Sequence, residues 1–364
     1  MPESRFYDYL IVGQGLAGSL LAWRLLRAGK RPLVVDDTHH GSSSMVAAGV
    51  INPLAGKRFN HSPLIHSWLT AVHTTYGQLG KQSGMDFWQP MAMWRLFREP
   101  EQYRFYDRLP PQTAIRSLIG ERFSADAVGQ PIHAPLGGFI QHQTGYVRLP
   151  ALLAFLGNWL EDQHALQRSQ VEYTDLHIYP NHIRYANYQA RHIVFCDGYR
   201  GMHNPWFNYL PFAPDKGEIL TLQQLDDTKD GQLPNRIINS YNWLLPIDGG
   251  KFRLGSTHNH EVQDDIPSTT GVSALMEGLN KLLLHPQQLQ LLRSEAGVRP
   301  ATSDRQPFLG THPAQPRLHI FNGFGAHGSL TIPWYSQQML DWLEHQQRLP
   351  AAADIHRYRA LAGC

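Results

Sequence analysis

Three glycines and one acid near the start of the chain carry its plainest chemistry. Gly13, Gly15 and Gly18 stand in the spacing G-x-G-x-x-G, and Asp36 lies about 20 residues further on, where a carboxylate can hold a ribose hydroxyl. The first glycine allows a tight turn, the second lets a pyrophosphate approach the backbone, and the third lets a helix lie close to the preceding strand. Leu16 and Ala17, inside the motif, belong to the same cofactor-binding set. Asp36 is followed by Asp37 with no adjacent arginine, which argues against a 2′-phosphate. FAD or NAD therefore fits better than NADP, and the motif alone does not separate those two.

Such residues need particular elements around them. Tyr9, Leu10, Ile11 and Val12 form a short apolar run that stops at Gly13, as a buried parallel strand should. The next stretch is apolar nearly all round (Leu16, Leu20, Leu21, Trp23, Leu25, Leu26), which predicts a buried helix, and Gly29 suits its end. A second apolar strand, Leu33 to Val35, runs into Asp36. Strand, glycine turn, helix and strand with a terminal acid favour a dinucleotide site over glycines that merely make a turn.

Beyond Asp37 small residues dominate: Gly41, Ser42, Ser43, Ser44, Ala47, Ala48 and Gly49. They can open a short helix whose amides and hydroxyls face phosphate oxygens, or let the backbone lie against a flat ring. The interleaved Met45, Val46, Val50 and Ile51 argue against a merely flexible loop. Helical spacing follows over 61–80, an aromatic strand-like stretch over 87–97, a short helix over 99–109, and strands with a turn over 136–147. Pro150 suits the first turn of a helix over 151–160. Short strands are expected at 171–173, 177–179, 183–185 and 192–196, the last running into Asp197 and Gly198 as a second edge of a cofactor sheet. Strands at 217–222, 237–245 and 251–254, with a hairpin turn at 248–250, precede a helix over 272–284. An apolar strand at 318–321 then enters the glycine turn 322–328, and a helix follows in which Pro333 should fall in the first turn.

Both ends of the chain thus read as strand, glycine turn, helix, with a strand-rich middle. The fold class is α/β with an α+β second domain. A Rossmann-like domain is expected from residues 1–85, 141–215 and 291–364, and an antiparallel-sheet substrate domain from 86–140 and 216–290.

The whole chain narrows the possible partners. Among 364 residues, 32 Lys and Arg nearly balance 30 Asp and Glu, which leaves no electrostatic footprint for nucleic acid or an anionic membrane. The two cysteines, Cys196 and Cys364, form no C-x-x-C pair, so neither a disulfide framework nor a zinc-thiolate site is expected, and a reducing cytoplasm is the simplest home. MPESRF leads straight into a strand without a secretion-signal pattern, and no apolar run approaches bilayer length.

At this point the sequence resembles the FAD-dependent oxidoreductases of the D-amino-acid oxidase type, the glycine oxidase and sarcosine oxidase group. The motifs that carry the resemblance run in order along the chain: VGQGLAG, SSSMVAAG, FCDG, KGE, WLLP followed by RLGST, GVRPATSDRQPFLG and NGFGAHGSL. The chain is also similar to the oxidase domain of the bifunctional enzyme that matures the wobble uridine of bacterial tRNA, through the GVR-x-AT stretch. The resemblance implies FAD rather than NAD, with its ring at the domain junction. It also implies oxidation of a carbon–nitrogen bond in an amine or N-substituted amino acid, with oxygen or another acceptor. Action on a modified tRNA base, and flavin binding without catalysis, are the two rival readings; the balanced charge weighs against the first.

Residue by residue, the resemblance implies that Gly13, Gly15, Gly18 and Asp36 hold the ADP half, that Ser43 and Ser44 meet the pyrophosphate, and that Ala48 and Gly49 lie against the flavin. Gly198 joins this set. Gly323, Gly325, Ala326, His327 and Gly328 would sit by the pyrimidine edge, where a helix N-terminus favours the charge of reduced flavin. Arg299 is the expected substrate residue, since its planar fork matches a carboxylate; a structural ion pair, for example with Asp304, is the alternative. Trp243 stands where glycine oxidase carries a tyrosine, which favours a shaped apolar wall. Tyr241, two residues along a strand, would present a hydroxyl on the same face unless both are core aromatics. His327 is a further candidate for titration near the ring. Lys57 and Arg58 read chiefly as a solvated loop, and His258 and His260 lack the further spacing of a metal site.

Overall fold

Local pattern becomes structure first at the N-terminus, where the apolar run, the glycine turn and the apolar helix fold as read. In the computed structural model, which describes residues 5–37, 42–108, 114–129, 131–225 and 232–361, the chain opens with β1 (Arg5–Val12), α1 (Leu16–Arg27), β2 (Pro32–Asp36), α2 (Ser43–Val46) and β3 (Val50–Ile51). Gly41, Leu109 and Cys364 lie outside the described residues. Next come α3 (Ile65–Ser83), β4 (Trp88–Pro90), β5 (Met93–Leu96), α4 (Glu101–Asp107), β6 (Ile119–Phe123), β7 (Gly138–Gln141) and β8 (Gly145–Val147). Then follow α5 (Leu149–Asp162), β9 (Leu166–Arg168), β10 (Leu176–Ile178), β11 (Ile183–Tyr185), β12 (Tyr188–Phe195), β13 (Asp215–Gln224), β14 (Ile237–Asn239), β15 (Trp243–Ile247) and β16 (Lys251–Gly255). The last elements are α6 (Thr269–Leu282), β17 (Leu289–Arg299), β18 (Phe308–His312), β19 (Gln315–Asn322) and α7 (Gly328–His345).

The strands form three sheets. In the first, β9, β2, β1, β12 and β19 run parallel, β18 closes the far edge antiparallel, and the β10–β11 hairpin pairs with the first half of β12. Helices α1, α3, α5 and α7 cover one face through a core that includes Ile11, Leu20, Val72, Leu156 and Met339. The other face packs on aromatics from 195–212, among them Phe195 and Phe207. The second sheet runs β17-β13-β16-β15-β14-β5-β7-β6, and α6 packs Leu275 and Leu279 against one of its faces. A small third sheet, β3-β8-β4, lies beside them.

Four expectations need correction here. Residues 289–299 carried no strand expectation, yet β17 pairs with β13 from Asp215 opposite Arg299 to Gln224 opposite Leu289. Residues 291–299 therefore belong to the second sheet, as does β7 up to Gln141, so the expected borders at 291 and 141 cut through strands. Residues 237–245 are not one strand but the hairpin β14–β15, turning through 240–242. Residues 171–173 form no strand; Tyr173 begins a 3₁₀ turn instead.

Pro333 is the fourth case. Helix α7 begins at Gly328, so Pro333 lies past its first turn. A proline there leaves the carbonyl four residues back without its donor. That carbonyl belongs to Ser329, and the buried Tyr76 hydroxyl donates to it at 2.8 Å. Arg24 donates to Pro333 O at 2.8 Å and to Ser336 Oγ at 2.8 Å, which fixes the next turn. Tyr76→Phe strands the Ser329 carbonyl in a dry site. The expected loss is about 1–3 kcal/mol of stability, read from denaturant midpoints, with the far-ultraviolet spectrum unchanged.

A buried histidine, His319, meets the half-buried His192 midway along β19 and β12. His319 takes part in hydrogen bonds with Thr311 Oγ1 at 2.8 Å and with His192 Nδ1 at 3.0 Å. Burial, reinforced by the neighbouring His192, pushes the His319 imidazole down to about 3. The unfolded chain therefore takes up a proton near pH 6.5 that the folded chain refuses until about pH 3. Stability should fall as pH drops through that window, by about 1.4 kcal/mol per pH unit for this group. Urea titrations between neutral and mildly acid pH test this, and His319→Gln should flatten the slope.

Candidate functional site

The C-terminal ends of β1, β2, β12 and β19 open onto one groove with a cavity volume of about 280 Å³, partly open to solvent. Brought together along it are Gly13, Gly15, Leu16 and Ala17 from the first turn, Asp36 and Asp37 from the end of β2, and Gly198 from the end of β12. Ser43, Ser44, Ala48 and Gly49 line the next part, and Gly325, Ala326 and Gly328 the part at the start of α7. Trp243 and Arg299, on the second sheet, form the far wall.

Local contacts explain why these groups converge. A Cβ on Gly18 would stand 2.0 Å from Gly13 O, so α1 crosses β1 at a distance only glycine permits. Gly13 itself has φ +102° and faces Cys196 O. Gln14 N donates to Asp36 Oδ1 at 2.8 Å, which fixes the carboxylate at the lip of the groove. Leu16 N donates to Ser44 Oγ at 3.2 Å, and this sets α2 beside the start of α1. Arg200 pairs with Asp37 at 2.9 Å.

Asp197, read from the sequence only as the acid that ends the strand at 192–196, takes a larger part in the site. It lines the groove between Cys196 and Gly198. Its carboxylate accepts from the Tyr173 hydroxyl at 2.7 Å, Asn322 Nδ2 at 2.9 Å and Asn204 Nδ2 at 3.3 Å. Burial raises its carboxyl above the usual carboxylate range, and those three hydrogen bonds pull in the other direction. An acid that ends an apolar strand was the available sign; its donors come from three separate segments.

The second sheet presents one strand face to the groove. Gly217, Ile219, Trp243, Gly297 and Arg299 are neighbours on it. The Trp243 indole lies on Gly255, where a Cβ would come within 2.4 Å of the ring. Arg299 is half of an ion pair with the buried Asp215 at 2.7 Å, not with Asp304, which bonds Arg357 and Tyr358 instead. Burial works against the Asp215 charge, but His258 and Arg299 outweigh it and hold the carboxyl below the usual range.

Four expected residues lie off the groove wall. Tyr241 sits at the β14–β15 turn, 55 % exposed, with Arg98 and Lys281 about its ring, because the hairpin turns it away from the face of Trp243. His327 is exposed between the lining residues Ala326 and Gly328. Gly18 lies beneath the first turn, and Gly323 packs against Thr302 and Phe308. Lys57 pairs with Glu99 at 2.6 Å, and Arg58 covers Phe105. His258 bonds Asp215, and His260 faces Pro214 O.

The groove fits an extended dinucleotide by its own chemistry. It has an acid at one end, the N-terminus of α1 beside serine hydroxyls in the middle, then small residues and the start of α7. A parallel sheet with this site, walled by a second sheet, defines a dinucleotide-cofactor oxidoreductase. The family described as FAD dependent oxidoreductase matches residues 8–342. The glycine oxidase of Bacillus subtilis (strain 168) is 24% identical over 353 residues, covering 90% of each chain. The crystal structure of glycine oxidase from Geobacillus kaustophilus superposes with a TM-score of 0.80 at 20% identity, covering 97% of this chain and 98% of that one. Iminodiacetate oxidase from Chelativorans sp. BNC1 gives 0.78 at 20% identity, covering 96% and 98%. The chain belongs to the FAD-dependent oxidoreductase family, and its cofactor is FAD. Among the described residues no helix is long and apolar enough to cross a membrane.

Proposed function

We propose that this protein oxidises a carbon–nitrogen bond of a small amine or N-substituted amino acid. The observation that carries this reading is the apolar wall of Ile219 and Trp243, which lines the same groove as Ala48 and Gly49. It makes a chamber at the one end of a dinucleotide groove where a ring and a small substrate can meet out of bulk water. The glycine oxidases and the iminodiacetate oxidase among the similar proteins bear names of the same chemistry.

In this reading the first sheet and its helices hold the cofactor and the second sheet holds the substrate. Asp36 takes the ribose, the amides at the start of α1 with Ser43 and Ser44 take the pyrophosphate, and the backbone of Ala48 and Gly49 supports the ring. The start of α7 directs its positive end at the pyrimidine edge. FAD supplies the hydride acceptor. Trp243 and Ile219 orient the substrate carbon and exclude water. The free buried Cys196 fits a reducing compartment.

Anaerobic bleaching of the purified yellow protein by a panel of amines, amino acids and modified nucleosides tests the proposal. Bleaching by the first two classes is the expected result; bleaching by nucleosides alone, or by nothing in the panel, overturns it. Peroxide release in air identifies oxygen as the acceptor.

A further inference from the structure

The far wall of the chamber does not have a free guanidinium. Arg299 Nη1 donates to Asp215 Oδ2 at 2.7 Å and to Thr257 O at 3.3 Å. Its Nη2 donates to Ser256 Oγ at 2.8 Å and to Thr257 O at 3.2 Å. The four terminal N–H groups therefore all have acceptors within the protein. The group is pressed flat on the backbone, since a Cβ on Gly217 would lie 2.0 Å from Nη2. Asp215 is itself 5 % exposed and cancels the charge. It is anchored by Asn259 N at 3.1 Å and His258 Nδ1 at 2.6 Å, which hold it against Arg299.

A carboxylate placed here would find a neutral pair with its fork already filled. It would have to break charge-assisted hydrogen bonds to enter, and would bring a charge that nothing nearby balances. Ser256 is different. Its hydroxyl lines the groove and accepts from Arg299, so its own proton points elsewhere and is available to a ligand. Arg299 polarises that hydroxyl as a donor.

The geometry points to a substrate that carries a neutral hydrogen-bond acceptor, such as an amide, ether or hydroxyl oxygen, where an amino acid carries its carboxylate. Ser256 reads that oxygen, Arg299 and Asp215 position Ser256, and Trp243 covers the remainder of the molecule. This inference rests on the proposed C–N oxidation and narrows its substrate class.

The test uses the flavin-loaded protein and reads ligand binding from the shift of the flavin absorption bands, with anaerobic bleaching as a second readout. Matched pairs differ only at the carboxyl: glycinamide with glycine, N-methylglycinamide with N-methylglycine, and acetamide with acetate as non-reacting probes. Wild type should prefer the amide member about tenfold or more, the size of one hydrogen bond to a charged or polarised group. Asp215→Asn removes the cancelling charge and should reverse the preference, so that acetate shifts the flavin bands of the variant more strongly than those of wild type. Ser256→Ala leaves the ion pair in place and should abolish the amide preference, which decides the matter if Asp215→Asn does not fold. A wild-type preference for the acid, or an acetate response equal in wild type and Asp215→Asn, overturns the inference. Absence of bleaching by any amine or amino acid would instead remove the C–N reading on which it stands.

Discussion

Gly18→Ala should yield a protein that purifies without flavin and unfolds at a lower denaturant concentration than wild type. The added methyl would stand 2.0 Å from Gly13 O and 3.3 Å from Cys196 Cβ. The first of these neighbours is backbone of the tight turn itself, so no flexible side chain can move aside. Helix α1 has to lift from β1, and its N-terminal amides leave the positions they share with Ser44. Overpacking with backbone displacement costs on the order of 3 kcal/mol. Loss of even one well-placed amide contact to a pyrophosphate weakens binding by roughly tenfold or more. The visible flavin spectrum after purification and a urea titration measure both effects. A variant that loads flavin like wild type would show that α1 does not need its close approach.

Asp197→Ala should be the other severe change. The half-buried carboxylate ties Tyr173, Asn204 and Asn322, and hence the ends of β12 and β19, into one floor for the groove. Removing it takes an acceptor from three side chains at once: Asn204 loses its partner, while Asn322 keeps Gly198 O at 2.8 Å and Tyr173 keeps a long contact to Arg200 O, and the expected loss is about 2–3 kcal/mol. Asp197→Asn keeps one acceptor oxygen and should lose less. The pH dependence has a definite sign. Burial raises the folded carboxyl above its unfolded value, so the folded protein holds a proton that the unfolded chain has released. Stability from this group is present below the unfolded value and falls as pH rises through the folded one. In Asp197→Ala that part of the acid profile should vanish, which separates the variant from one that merely opens a cavity. Equal stability of wild type and Asp197→Ala across pH would refute the assignment.

The part of the site built by neighbours in sequence was legible. The β1–α1–β2 unit could be read because burial, period and turn chemistry agree within some thirty residues, and Asp36 falls where its partner Gln14 requires. The turn before α7 was readable for the same reason. What failed were pairings set at a distance. Strand β17 escaped because it is an edge strand whose outer half is exposed, so its residues show no apolar alternation. Tyr241 was misplaced because a three-residue turn reads like continued strand when Ile237–Ile238 and Leu244–Leu245 flank it. The partner of Arg299 is 84 residues away, and the donor that replaces the missing N–H of Pro333 is Tyr76, 253 residues from the carbonyl it meets. No local rule gives such pairs.

The order of strands in the first sheet has a consequence for the protein as it is made. β19 pairs beside β12, yet 119 residues separate Phe195 from Gln315. On the ribosome, the apolar end of β12, Ile193 to Phe195, emerges long before the strand that covers its flank. A nascent chain therefore carries one bare, greasy strand edge through the synthesis of β13 to β17, the larger part of the second sheet. Translation stalls and C-terminal truncations before residue 315 would leave that edge permanently bare, so holdase chaperones should engage this protein chiefly there.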